Sequence, residues 1–165
     1  MLNFAFTSEV WLNILFQALA AGFIGPAFAM LFTVPTRFLA LIGLGSALTR
    51  GVRALLEAMN VEIVVATFLA CCVCSLIFIY FGPKLRAPRP IFTVPCIISL
   101  IPGVHAYHAL LALMQVIDNS DVAQSTIYIH ELFHRGMLSL GIISAIAVGI
   151  AIPPLFFYKY RHTKL

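Results

Sequence analysis

Five stretches of this chain are long enough to form a helix that crosses a bilayer, and four of them are free of Asp, Glu, Lys and Arg. They fall at about residues 11–32, 38–60, 64–82, 91–117 and 138–158. A helix rises ~1.5 Å per residue, so roughly 20 apolar residues span the ~30 Å hydrocarbon core. Of the 165 residues only 10% are charged and 62% are hydrophobic, whereas soluble domains carry about 25% charged residues. The expected fold is therefore all-α: a single polytopic membrane domain over residues 1–165, with about five transmembrane helices and no room for a long soluble domain. The opening MLNFAFTSEVW has no Lys or Arg before the apolar run, so the first helix is expected to stay rather than be removed as a signal peptide.

The departures from an apolar pattern matter most. The second stretch meets Arg50 too early to have crossed, so it must continue through Arg50, Arg53 and Glu57, whose spacing places them on one stripe of a helix. The fourth stretch carries Pro95 and the pair Pro102-Gly103, so this helix is expected to break. Cys71, Cys72 and Cys74 lie in mid-span and read as small packing residues. Five crossings put the termini on opposite sides. With the C-terminus cytoplasmic, the inner segments hold Arg37, Lys84, Arg86, Arg89, Lys159, Arg161 and Lys164, and the outer ones Arg50, Arg53 and Arg135. The bias of basic residues toward the cytoplasm favours an outside N-terminus in the cytoplasmic (inner) membrane. The net charge of +4 is thus accounted for by topology, and no nucleic-acid partner is implied.

One motif points to chemistry. HELFH, His130 to His134, matches the zinc-protease pattern H-E-x-x-H, in which two imidazoles one helical turn apart share a metal and the glutamate acts as general base. Such a site needs a third ligand and an open coordination position. Asp118, Asp121, His105 and His108 lie upstream, and the next such residue downstream is His162, across the membrane. The stretch from Asp118 to Arg135 reads as a polar link, so His130 and His134 are expected on a solvated helix end, with no metal and no cofactor. An intramembrane metalloprotease remains the rival from a different class.

At Ile91–Ala109 the sequence resembles the threonine/serine exporter family, in its C-terminal five-helix half. The matching pieces are F-x-V-P-x-R (Phe32, Val34, Pro35, Arg37), A-T-F-L-A (Ala66 to Ala70) and the turn ending in Ala87-Pro88. The longest run supplies Phe92, Val94, Pro95, Leu100, Pro102, Gly103, Ala106 and Tyr107. The family often has a polar amide where Thr33 stands. Some members are one chain of about ten helices; others are split into a large and a small subunit. This chain begins close to its first helix, which resembles the small subunit. The resemblance implies no enzymatic activity but secondary export of a small carboxylated metabolite, succinate or another dicarboxylate, or threonine or serine. It implies a larger membrane subunit as partner, with homo-oligomers also possible.

Broken helices bring polar groups to membrane depth without burying a charge. Pro102 has no N–H, so carbonyls before the break and amides after it are freed to face a cavity, and amides at a half-helix N-terminus attract carboxylates. Pro102, Gly103 and Tyr107 are thus candidate substrate-binding residues. Arg53, where the family also has an arginine, offers a two-pronged guanidinium, against snorkelling or pairing with Glu57. Thr67 offers a hydroxyl, against bonding its own helix. Pro35 and Pro95 read as structural or hinge positions and Arg37 as a topology anchor. A non-transporting scaffold subunit is the third reading.

Overall fold

The structure, a computed structural model, describes residues 8–85, 87–118 and 122–161, with side chains for all of these except 83, 122, 123 and 158–161. Arg86, Asp121, His162 and Lys164 lie outside the described residues, as do the side chains of Lys159 and Arg161. The elements in chain order are α1 (Ser8–Leu31), a 3-10 turn (Thr36–Phe38), α2 (Leu39–Ala58), α3 (Ile63–Lys84) and α4 (Pro90–Ile97). A second 3-10 turn (Ile98–Leu100), α5 (Gly103–Asp118) and α6 (Val122–Arg161) complete the chain. Among the described residues there is no strand. Four segments are long and apolar enough to cross a membrane: Ser8–Leu31, Thr36–Ala58, Ile63–Gly82 and Gln124–Phe157. Pro90–Leu100 with Gly103–Asp118 makes a fifth when the broken pair counts as one. The all-α, five-span reading and the break at Pro102 hold.

Gly22, Gly25 and Pro26 lie inside α1, which runs unbroken to Leu31. One boundary differs from expectation. The supposed polar link before the last span is helical, since α6 begins at Val122 rather than near Leu138. Its residues are polar but include no Pro or Gly before Gly136, and polarity alone does not end a helix. At 40 residues, α6 is about 60 Å long, roughly twice the hydrocarbon thickness.

By its contacts the chain separates into two compact units, Met1–Leu100 with Ala145–Leu165, and Ile101–Ser144. In the first, α1 and α2 form the most extensive helix pair. Their joining turn follows from how α1 stops. Thr33 takes a left-handed φ of 55°, and the amides of Thr33 and Val34 donate to the carbonyls of Met30 and Ala29 at 3.0 Å each, so the last carbonyls of α1 are satisfied. The end of α2 repeats this arrangement at Asn60, with φ 59° and Val61 N–H donating to Leu56 O at 3.0 Å. The helices approach closely at Gly25, where an added Cβ would lie 2.8 Å from Ser46 Cβ. Another close approach joins α3 and α6: a Cβ on Gly149 would lie 2.8 Å from Cys71 Cβ, and Ser75 Oγ donates to Ile150 O at 3.1 Å.

The core of this unit is aromatic and sulfur-rich. Phe92 stacks on Phe78 at 5.4 Å and meets Phe38 edge-on at 5.1 Å, with Ala29, Val34, Ile42, Cys74 and Cys96 around them. Cys71, Cys74 and Cys96 are buried and Cys72 is half-buried, as suits small packing residues. The tetrapeptide Phe-Thr-Val-Pro occurs twice, at residues 32–35 and 92–95. The first copy is the α1–α2 turn, and the second lies inside α4. The second unit comprises α5 and the N-terminal part of α6.

Candidate functional site

The candidate site is built around the end of the first half-helix. The Leu100 carbonyl lacks a helical donor because the chain breaks at Ile101-Pro102. Arg53 of α2 supplies one: its Nη1 donates to Leu100 O at 2.9 Å, while its Nε donates to Glu57 Oε1 at 2.7 Å. The residue is only 5% exposed, so Arg53 is held internally and does not snorkel. A cation at the C-terminal end of a helix also complements the dipole of that helix. This backbone partner is invisible in the sequence, since any residue at position 100 offers the same carbonyl.

Beyond the break, in the second unit, the Gly103 amide donates to Ile101 O at 2.9 Å and the Ala106 amide to Pro102 O at 3.0 Å. These two amides are therefore already engaged. Among the described residues, the Val104 amide has no backbone acceptor outside its own helix. A Cβ built on Gly103 meets nothing within 4 Å, and its φ is not positive. Tyr107, one turn on, is exposed with its ring edge-on to His108 at 5.8 Å.

The other expected residues are bonded locally. Thr67 is fully buried, and its Oγ1 donates to Ile63 O of its own helix at 2.6 Å. Pro35 precedes the first 3-10 turn. Pro95 is buried inside α4, which tightens into a 3-10 turn at Ile98. Arg37 lies over the Phe38 ring at 4.5 Å.

HELFH lies inside α6 rather than at its start. The His130 and His134 rings are parallel, 5° apart with centroids at 6.3 Å. Glu131 Oε1 is 3.8 Å from Arg135 Nε, and Arg135 Nη1 is 3.4 Å from His105 Nδ1. Among the described residues no group of three or more His, Cys, Asp or Glu is placed to hold a metal ion.

Two further features stand out in the first unit. Arg50 is half-buried, and no hydrogen bond or short ion pair is made by it among the described residues. Gln17 Oε1 and Ser99 Oγ are buried without a hydrogen-bond partner.

Comparison with known proteins adds a family. Residues 14–156 match the family described as Threonine/Serine exporter, ThrE. A protein of Haemophilus influenzae (strain ATCC 51907 / DSM 11121 / KW20 / Rd), described as uncharacterized, is 33% identical over 150 residues, covering 91% of this chain and 50% of its own length. The chain thus spans about half the length of this curated relative. No solved structure matches.

Proposed function

The chain belongs to the threonine/serine exporter family, and on that premise we propose that it is the small half of a two-part secondary exporter of a small carboxylated metabolite. Its substrate is succinate or another dicarboxylate, or threonine or serine. Its partner is a larger membrane subunit, and it works in the cytoplasmic membrane with its N-terminus outside. The small inventory of charge in the crossing segments supports the two-part arrangement.

The observation that carries the reading is Gly103. It is the first residue of α5, it needs no special torsion, and a Cβ there would meet nothing within 4 Å. Neither packing nor backbone strain accounts for a glycine, whereas close approach of a solute to the half-helix N-terminus does. Pro102 makes the break, and Gly103 and Tyr107 are the substrate-contacting residues. Arg53 holds the preceding half-helix through Leu100, and Thr67 contributes at most an acceptor lone pair.

The test is efflux of labelled L-threonine, L-serine and succinate from loaded cells of the native host, compared with a deletion of the gene. Loss of efflux of one of these solutes on deletion, restored by the wild-type gene, supports the reading. Equal efflux of all three with and without the gene contradicts it. Co-purification of the chain with a second membrane subunit tests the two-part arrangement separately.

A further inference from the structure

Arg50 has no structural task visible in its surroundings. It lies on α2 eight residues before Ala58, so its Cα is roughly 12 Å inside that end at ~1.5 Å per residue. The nearer end is the C-terminal one, and Cα–Cβ bonds tilt toward the N-terminus of a helix, so snorkelling outward works against the geometry. Its neighbours do not neutralise it. Arg53 repels it and Glu57 attracts it only at longer range, and Glu57 is already held by Arg53 at 2.7 Å. Two cations and one anion leave one positive charge unbalanced in a span that is otherwise apolar. Such a charge is costly unless it meets an anion or lines a water-filled path.

The unpartnered polar atoms lie on elements that pack against this part of α2. Ala18 of α1 faces Gly51, with 3.5 Å between its Cβ and one built on the glycine, and Gln17 and Arg50 are the residues preceding these two in sequence. Ser99 precedes Leu100, whose carbonyl sits on Arg53, and its 3-10 turn packs against both α1 and α2. Gln17 Nε2 donates to Asn13 Oδ1 at 3.2 Å, yet Gln17 Oε1 and Ser99 Oγ have no partner. Buried polar atoms are rarely left so, because each unmade bond costs free energy.

We propose that Arg50 is the fixed cation that binds a carboxylate of the exported solute, with the Ser99 hydroxyl as a second donor to it and Gln17 Oε1 accepting from an N–H or O–H elsewhere on the solute. This rests on the exporter reading above. The planar guanidinium grips both oxygens of one carboxylate, and its single unbalanced charge matches a single anionic group. Arg53, spent on Glu57 and Leu100, is the positioning residue, and Arg50 makes the contact.

The experiment uses chromosomal variants in the native host, with efflux of labelled L-threonine and succinate from loaded cells. Arg50→Gln should raise the apparent KM for the transported probe roughly 10- to 100-fold, the range expected for a lost charge-assisted pair. Arg50→Lys should fall between, because it keeps the charge and loses the fork. The amount of protein in the membrane should stay unchanged, and the melting temperature of purified Arg50→Gln should not drop, since the change removes an unbalanced charge. The amide analogue of the probe should fail to compete with wild-type efflux. Wild-type KM in Arg50→Gln overturns the assignment alone, as does a loss of efflux matched by loss of protein from the membrane. If wild-type and deletion strains release both probes equally, the exporter reading falls and the assignment with it.

Discussion

The Arg53 guanidinium reaches from α2 to the carbonyl of Leu100, 2.9 Å away and 47 residues further along the chain, and so fastens the end of a broken helix to its neighbour. The bond costs little extra order, because Glu57 on the same helix already fixes the guanidinium from the other side. Arg53→Gln should leave Glu57 and Leu100 O without their cation and lower stability by about 2 kcal/mol, less than the ~3–5 kcal/mol of a fully buried pair because Glu57 keeps some exposure. Adding Glu57→Gln should recover part of this. Thermal unfolding of the purified protein in detergent checks both, and an unchanged midpoint in Arg53→Gln would show that the Leu100 contact is dispensable.

The α1–α2 pair depends on a missing side chain. Gly25→Ala should place a Cβ against Ser46 and destabilise the pair by roughly 1–3 kcal/mol, the usual cost of overpacking. Ser46→Gly in the same chain should restore most of the loss by making room. Unfolding midpoints of the two single variants and the double variant measure the coupling; additive effects would contradict the close approach.

Thr33 is a β-branched residue in a left-handed conformation, which costs about 1–2 kcal/mol relative to an ordinary torsion. Asn tolerates that region better, which gives a physical reason for the polar amide expected at this position in the family. Thr33→Asn should therefore raise stability by about 0.5–1 kcal/mol. A lower melting temperature would mean that the Thr33 Oγ1 bond to Phe32 O, at 2.7 Å, outweighs the torsional strain.

The five spans were legible because hydropathy and length suffice to recognise them, and the break was legible because Pro102 removes a donor wherever it sits in a helix. The start of α6 was not legible: its composition reads as a link, and nothing in polarity distinguishes a solvated helix from a loop. The two Phe-Thr-Val-Pro copies make the same point. One forms a turn and the other lies in a helix, so neighbours beyond the tetrapeptide decide. Of the candidate site, Arg53 was legible as a residue but its principal partner was not, because that partner is a backbone carbonyl. Gln17 and Ser99 carried no signal at all, as their distinction is a lack of partners.

The distribution of basic residues makes a topological prediction. With Cys71, Cys72, Cys74 and Cys96 replaced, a single cysteine at position 163 should react with a membrane-impermeant reagent only from the cytoplasm, and one at position 120 only from outside. Reversed accessibility at both positions would invert the proposed orientation.

The central claim is that the broken fourth span handles the exported solute, and Gly103 tests it most directly because a Cβ built there meets nothing within 4 Å. Efflux of the transported probe from loaded native cells should fall in Gly103→Leu, and also in Pro102→Ala, which restores an amide and lets the helix close. In both variants the protein should remain in the membrane at wild-type amounts with an unchanged melting temperature for Gly103→Leu. Efflux at the wild-type rate in both would contradict the account, leaving the break as structure alone.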